Sequence, residues 1–271
     1  MTWEGHDLGS LICEMHYERV PRVDRQRLLA EVNVTLPSSD MLGEQSYPVT
    51  FAHYGYEANF ADGKRVPVMS VVLRPSGEHL RDQSRIDLSQ TWTFPAARET
   101  LDRCHDALSV VEMMGRPLQP PDRLRVFRTT VLALCAITEP VAAWWPTATQ
   151  LLPPPTPSDP PLMGLLNVRL FRIEGTGGDI VMDTLGLHVF GLPDMQCHCR
   201  GLEAARLAAL LHNAGIYIFE HGDVVEDGHT IEGLEPGQRW KCHHEKALVP
   251  PNRVVLDLNP GPAYAPSSRK Q

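Results

Sequence analysis

Residues 183–200 read Asp-Thr-Leu-Gly-Leu-His-Val-Phe-Gly-Leu-Pro-Asp-Met-Gln-Cys-His-Cys-Arg, and an Ala/Leu-rich pattern follows from Leu202. An apolar run ends at the Gly-Leu-Pro-Asp break of 191–194. A short alternating segment then covers 195–199, and residues 202–212 place Ala205, Leu207, Leu210 and Leu211 at helical spacing. Strand, turn, strand and helix in this order predict an α+β lobe, in which a sheet buries one face under a helix. Gly186, Gly191 and Pro193 turn the chain between those elements.

Upstream, 165–173 and 180–190 read as strands around the turn Gly175-Thr176-Gly177-Gly178. Downstream, 215–219 continues as a strand, 223–234 holds a hairpin at Glu226-Asp227-Gly228, and 240–258 supplies the last strands around Pro250-Pro251. Before this lobe, residues 153–161 contain six prolines in nine positions. Such a segment forms neither helix nor ladder and is expected to run as an extended spacer.

The first half shows the same mixture. A strand is expected over 8–19 and a helix over 22–32. Two strands, 49–60 and 66–73, are joined by a turn at 61–64 whose Asp-Gly favours a hairpin. One helix is expected from Pro95 to Gly115, carrying Ala97, Leu101, Leu108, Val111 and Met114, and another from Pro121 with Leu124, Phe127, Val131 and Leu134 on its buried stripe. A single short strand is expected in 141–152.

The fold class is therefore α+β, with two lobes that are each a small mixed or antiparallel sheet flanked by helices. The expected boundaries are 1–152 for the N-terminal lobe, 153–161 for the linker, 162–260 for the C-terminal lobe and 261–271 for a flexible tail. A faint echo of Ala97-Arg98, Leu101, His105 and Ala107 in Ala205-Arg206, Leu210, His212 and Ala214 raises an internal duplication as a further reading.

At 271 residues with 42% hydrophobic and 21% charged residues, the composition is that of a globular protein. Met1 is followed by Thr-Trp-Glu-Gly-His-Asp, so no leader peptide and no membrane span is expected. Six cysteines in a chain of this size do not resemble a small disulfide scaffold, which leads to an expectation of reduced thiols in a cytoplasm. The net charge is -8, with 21 Arg and 4 Lys that form no cluster. Nucleic acid and anionic membranes both call for a concentrated basic face and are not expected partners.

The chain resembles the bacterial family catalogued as domain of unknown function 4261. The resemblance is carried by Trp92 with Ala96-Ala97, the stretch from Ala107 to Met114, the segment from Pro140 to Trp145, and Asp183-Thr184-Leu185-Gly186-Leu187 with Gly191-Leu192-Pro193. Asp227-Gly228-His229-Thr230-Ile231 and His244-Glu245-Lys246-Ala247-Leu248 with Pro251 and Arg253 complete it. Where His229 stands, the family pattern often has an acidic residue. The resemblance implies an α+β fold and no activity.

Two sets of residues carry candidate chemistry. Cys197, Cys199, Cys242 and His244 are of the types that close a tetrahedral zinc site, although i and i+2 positions on a regular strand stand about 7 Å apart. Glu220, Asp223, Glu226, Asp227, Glu232 and Glu235 fall in a run without Lys or Arg and suit docking of a basic protein. His244-Glu245 lacks the second histidine of a zinc-protease helix, since Leu248 stands in its place. Neither a phosphate-binding loop nor a nucleophile elbow occurs.

The expected function is non-catalytic binding of another protein, of the kind that neutralises a bacterial toxin or effector, with no cofactor. The alternative is a zinc-binding protein or an enzyme built on the Cys/His set.

Overall fold

The computed structural model describes residues 9–60, 62–77 and 82–266. The expected absence of a leader falls on residues 1–7 and the end of the expected tail on 267–271, both outside the described residues. The chain divides into two compact units, Ser10–Gly164 on one side and Gly9 with the residues from Leu165 on the other. The proline-rich segment lies in the first unit. There Arg128 donates to the carbonyls of Thr156 and Asp159 at 3.1 and 2.9 Å and to those of Pro160 and Pro161 at 3.2 Å.

The first unit is built on an antiparallel sheet of seven strands: β1 (Ile12–Tyr17), β2 (Ser39–Leu42), β3 (Val49–Asn59), β4 (Arg65–Leu73), β5 (Asp106–Met113), β6 (Ala142–Trp145) and β7 (Gln150–Leu152). They lie in the order β2-β3-β4-β5-β1-β6-β7. Helices α1 (Arg25–Thr35) and α3 (Pro120–Thr138) pack on each other, and α3 lies against β4 and β5. The short helix α2 (Ala97–Asp102) seats Ala97 and Leu101 in a cluster with Ile86, Ala142, Trp144 and Leu151. The sheet is thus clad on both faces, and β1 and β5 are buried along almost their whole length.

That double burial explains a correction. The helix expected from Pro95 to Gly115 ends at Asp102, and residues 106–113 form β5, a central strand between β4 and β1. A strand covered on both faces reads as a continuous apolar run, and such a run does not distinguish strand from helix by period. The β-branched pair Val110-Val111 was the local signal for the strand. The strand expected in 141–152 is two, β6 and β7, paired as a hairpin. The proposed duplication would align this helical segment with the helix of the second unit, but His105 and Ala107 lie at and in β5.

The second unit holds a mixed sheet of six strands in the order β11-β12-β13-β10-β9-β8. They are β8 (Asn167–Arg172), β9 (Asp179–Leu185), β10 (Asp194–Arg200), β11 (Thr230–Glu232), β12 (Arg239–Lys246) and β13 (Val254–Asn259). All neighbours are antiparallel except β10 and β13, which run parallel. The apolar face of β8, β9 and β10 lies under helix α4 (Ala204–His221). The Glu203 carboxylate caps α4 by accepting from the backbone N–H groups of Ala205 and Arg206 at 3.1 and 3.3 Å.

Helix α4 is longer than expected. Residues 215–219, expected to be a strand, continue the helix, whose buried positions Leu207, Leu211, Gly215, Ile218 and Phe219 follow its period. Gly215 is not a break. A Cβ there would stand 3.1 Å from Leu166 Cδ2, so the missing side chain lets the helix approach Leu166 and Leu187. Strand β9 ends at Leu185 instead of reaching Phe190, because Gly186 takes φ 142° against the Leu165 carbonyl and Leu187–Phe190 form a 3-10 turn. Among the described residues no helix is long and apolar enough to cross a membrane.

Candidate functional site

The second unit carries both sets of residues singled out above, together with a buried ion network that neither set includes. In the network, Arg169 on β8 donates from Nε and an outer nitrogen to the two carboxylate oxygens of Asp183 on β9, at 3.0 and 2.6 Å. Arg253, just before β13, donates from Nε to Asp194 Oδ2 at 2.9 Å and from an outer nitrogen to Asp183 Oδ2 and, at 3.0 Å, to the Thr184 carbonyl. Its other outer nitrogen donates to the Pro251 and Val249 carbonyls at 2.9 and 3.2 Å. Asp194 Oδ1 also accepts from Leu187 N–H at 3.0 Å and from the Thr184 hydroxyl at 3.2 Å.

Both aspartates are 0% exposed. Burial by itself would raise the Asp194 carboxyl, but the His188 hydrogen bond and the Arg253 charge outweigh it and hold the group below the usual carboxylate range. The two buried arginines and two buried aspartates tie β8, β9 and β10 to the approach to β13. The network offers no atom to a substrate, so its role is positioning.

The four candidate zinc ligands are not brought to one point. Cys197 and Cys199 on β10 are buried, and a hydrogen bond from the Cys197 thiol holds the Cys199 thiol below its ordinary value. Cys242 stands on β12, and β13 lies between β12 and β10, so two strand spacings, roughly 10 Å, separate it from the pair. Burial pushes the Cys242 thiol up to about 11. His244 faces two carboxylates, with Nδ1 at 2.9 Å from Asp227 and Nε2 at 3.0 Å from Asp223. Among the described residues no group of three or more His, Cys, Asp or Glu side chains is arranged to hold a metal ion.

The acidic residues are all exposed, and the structure sorts them. Asp227 accepts from the His244 N–H at 2.7 Å and lies 3.1 Å from His243 Nδ1, and together with the His244 ring these contacts hold its carboxyl below the usual range. Asp223 is held by His244. Glu235 pairs with Arg206 at 2.7 Å. Glu226 lies 3.7 Å from His229. Glu220 and Glu232 make no ion pair among the described residues, although Arg239 stands opposite Glu232 across the β11–β12 ladder.

Within the same stretch lies a groove of about 530 Å³, lined by Tyr217 on α4, by Val224 and Val225, and by residues 228–231, which lead into β11. Tyr217 and Val224 are 48% and 49% exposed, and the Tyr217 ring is stacked on His221 with centroids 4.2 Å apart. The groove lies within the size range of ligand pockets, and Tyr217, Val224, Val225 and Ile231 supply its apolar part. The acidic run was legible in the sequence. The apolar side chains beside it were not, because Tyr217 was assigned to a strand.

In the first unit the structure places polar groups that sequence reasoning missed. His53 lies between Ser39 and Ser70, 2.8 Å from the first hydroxyl and 3.0 Å from the second. The Ser39 hydroxyl gives its proton to the Leu36 carbonyl at 2.9 Å. It therefore accepts from His53 Nδ1–H, and Nε2 accepts from Ser70. Burial lowers His53 to about 4, and a ring with no exposed surface serves packing. Glu112 and Arg123 form a buried two-pronged pair at 2.6 Å on each arm. A cavity of about 10 Å³, room for one water, is lined by His16, Arg85, Cys104, His105 and Asp106. The only sequence signal for these groups was polar residues at alternate positions in strands.

Residues 183–259 match the family model described as domain of unknown function DUF4261. The matched segment starts at Asp183 and takes in Asp194 and Arg253, three of the four charged members of the buried network, as well as residues 223–232. Comparison with the curated proteins and with the solved structures gives no match.

Proposed function

We propose that this chain, whose residues 183–259 match that family's model, is a non-catalytic protein-binding protein whose docking surface is the groove of the second unit. The observation that carries this reading is the groove itself: Tyr217, Val224 and Ile231 line it, and the run 220–235 that supplies most of its lining holds carboxylates and no Lys or Arg. An apolar centre with a charged rim is how protein interfaces combine burial with steering, and the sign of the rim selects a basic partner. Within this class we favour toxin neutralisation in a bacterial cytoplasm, where an acidic protein masks a basic toxin or effector. The negative net charge and the run 220–235 without Lys or Arg support it.

The experiment is photo-crosslinking from a benzoylphenylalanine at position 217, with exposed position 34 of the first unit as the control, in cells that produce the protein. A single protein captured from position 217 alone, toxic when expressed by itself and harmless in the presence of this chain, is the expected outcome. The same set of proteins from both positions contradicts the docking reading, and a captured partner without toxicity contradicts the neutralisation reading.

A further inference from the structure

The groove has a backbone wall as well as side-chain walls. Among the described residues strand β11 is the last strand of its sheet and pairs with β12. In an antiparallel ladder, residues that exchange hydrogen bonds alternate with residues whose N–H and C=O point away from the partner. Here Cys242 N–H donates to the His229 carbonyl at 2.8 Å and Gly233 N–H to the Gln238 carbonyl at 3.0 Å. These two bonds fix the phase: 229, 231 and 233 face β12, and Thr230 and Glu232 turn their N–H and C=O groups outward. Both residues are exposed. Ile231, between them, lines the groove with Tyr217 and Val224.

We infer that the groove receives an extended, cationic segment of a partner protein, which adds as a further strand to the outer edge of β11. The inference rests on the protein-binding reading above and specifies its mode. A visiting strand takes its main-chain hydrogen bonds from Thr230 and Glu232. Its alternate side chains then fall on the α4 side of the sheet, where apolar groups meet Tyr217, Val224 and Ile231. Charge selects the occupant. Glu220 stands one helical turn beyond Tyr217 and Glu226 adjoins Val225, while Asp223 adds a carboxylate shared with His244, and Glu232, whose side chain alternates with that of Ile231, lies on the other face of β11 beside Arg239. Against these stand Arg239 opposite Glu232 and Lys241 opposite Thr230 on the neighbouring strand. The balance at the groove is acidic, so Lys or Arg interleaved with β-branched or aromatic residues complements it, and an acidic segment or a helix does not.

The test selects heptapeptides from a random phage-displayed library on the full-length protein, then measures the affinity of the recovered sequence. Expected is a sequence without Pro that alternates Lys or Arg with Val, Ile or Tyr, and that slows amide exchange at Thr230 and Glu232. The variant Thr230→Pro, which removes an outward N–H and leaves the β12 ladder intact, is expected to weaken binding about tenfold or more. A peptide-side control needs no change in the protein: N-methylation at alternate positions should abolish binding in one register and spare it in the other.

If the recovered peptide is cationic and weakened by Glu220→Gln, Glu226→Gln and Glu232→Gln together, yet indifferent to Thr230→Pro and to N-methylation, strand addition is overturned and acidic docking stands. If nothing is enriched, or the enriched sequence is acidic or Pro-rich, both are overturned. A homodimer in sedimentation that Thr230→Pro dissolves would make a second copy the occupant and overturn the inference.

Discussion

Arg253 joins Asp194 to Asp183 in one buried fork, with Nε 2.9 Å from Asp194 Oδ2 and an outer nitrogen on Asp183 Oδ2, across sequence separations of 59 and 70 residues. The three side chains are closed to solvent, so none can exchange its partner for water. Replacing Arg253 by Met leaves Asp183 paired with Arg169 alone and Asp194 beside the His188 ring, 3.2 Å away. The expected loss is about 3–5 kcal/mol in urea unfolding of the second unit. A loss below about 1 kcal/mol would show that the fork does not hold the strands together.

Gly186 closes β9 with φ 142°, and a Cβ there would lie 1.8 Å from the Leu165 carbonyl oxygen. The contact is with backbone, which has no rotamer to yield. Gly186→Ala is therefore expected to cost at least about 2 kcal/mol, read as a fall in the urea midpoint. A variant as stable as the parent would contradict the described turn.

His53 makes the first unit sensitive to acid. Its folded value of about 4 lies below the ordinary value of 6.5, so the unfolded chain binds the proton more tightly. Stability from this group is complete above the unfolded value and is lost as pH falls from about 6.5 toward 4, by up to about 3 kcal/mol. Unfolding free energies measured from pH 7.5 to 4 should show this slope in the parent and a shallower one in His53→Gln. Equal slopes would remove His53 as the cause.

Strand β13 separates Cys242 from the Cys197–Cys199 pair, and this sets an expectation for metal content. Protein purified without chelator should show no zinc that disappears on both Cys197→Ser and Cys242→Ser. One zinc per chain by elemental analysis, lost in each variant, would mean that the strands are arranged differently from this description.

The elements legible in the sequence were those with one covered face or a strong turn signal. Strands β3 and β4 announced themselves through alternation, and α3 through Leu124, Phe127, Val131 and Leu134. The period failed where both faces are buried, as in β5, and where Gly215 mimicked a helix stop while serving close packing. The acidic half of the groove could be read as a run of charge. Its apolar part could not, since Tyr217 lines the groove only because α4 continues to His221. The Arg253 fork was beyond reach for a different reason. Its members are far apart in the chain, and nothing local distinguishes a buried arginine from a solvated one.

The acidic groove as a docking surface is tested most directly by the affinity of the crosslinked partner for the triple variant Glu220→Gln, Glu226→Gln and Glu232→Gln, measured at low and at high salt. The expected result is a loss of about tenfold or more at low salt that narrows as screening grows, with the fold unchanged. Equal affinity of parent and variant at both salt concentrations would contradict it.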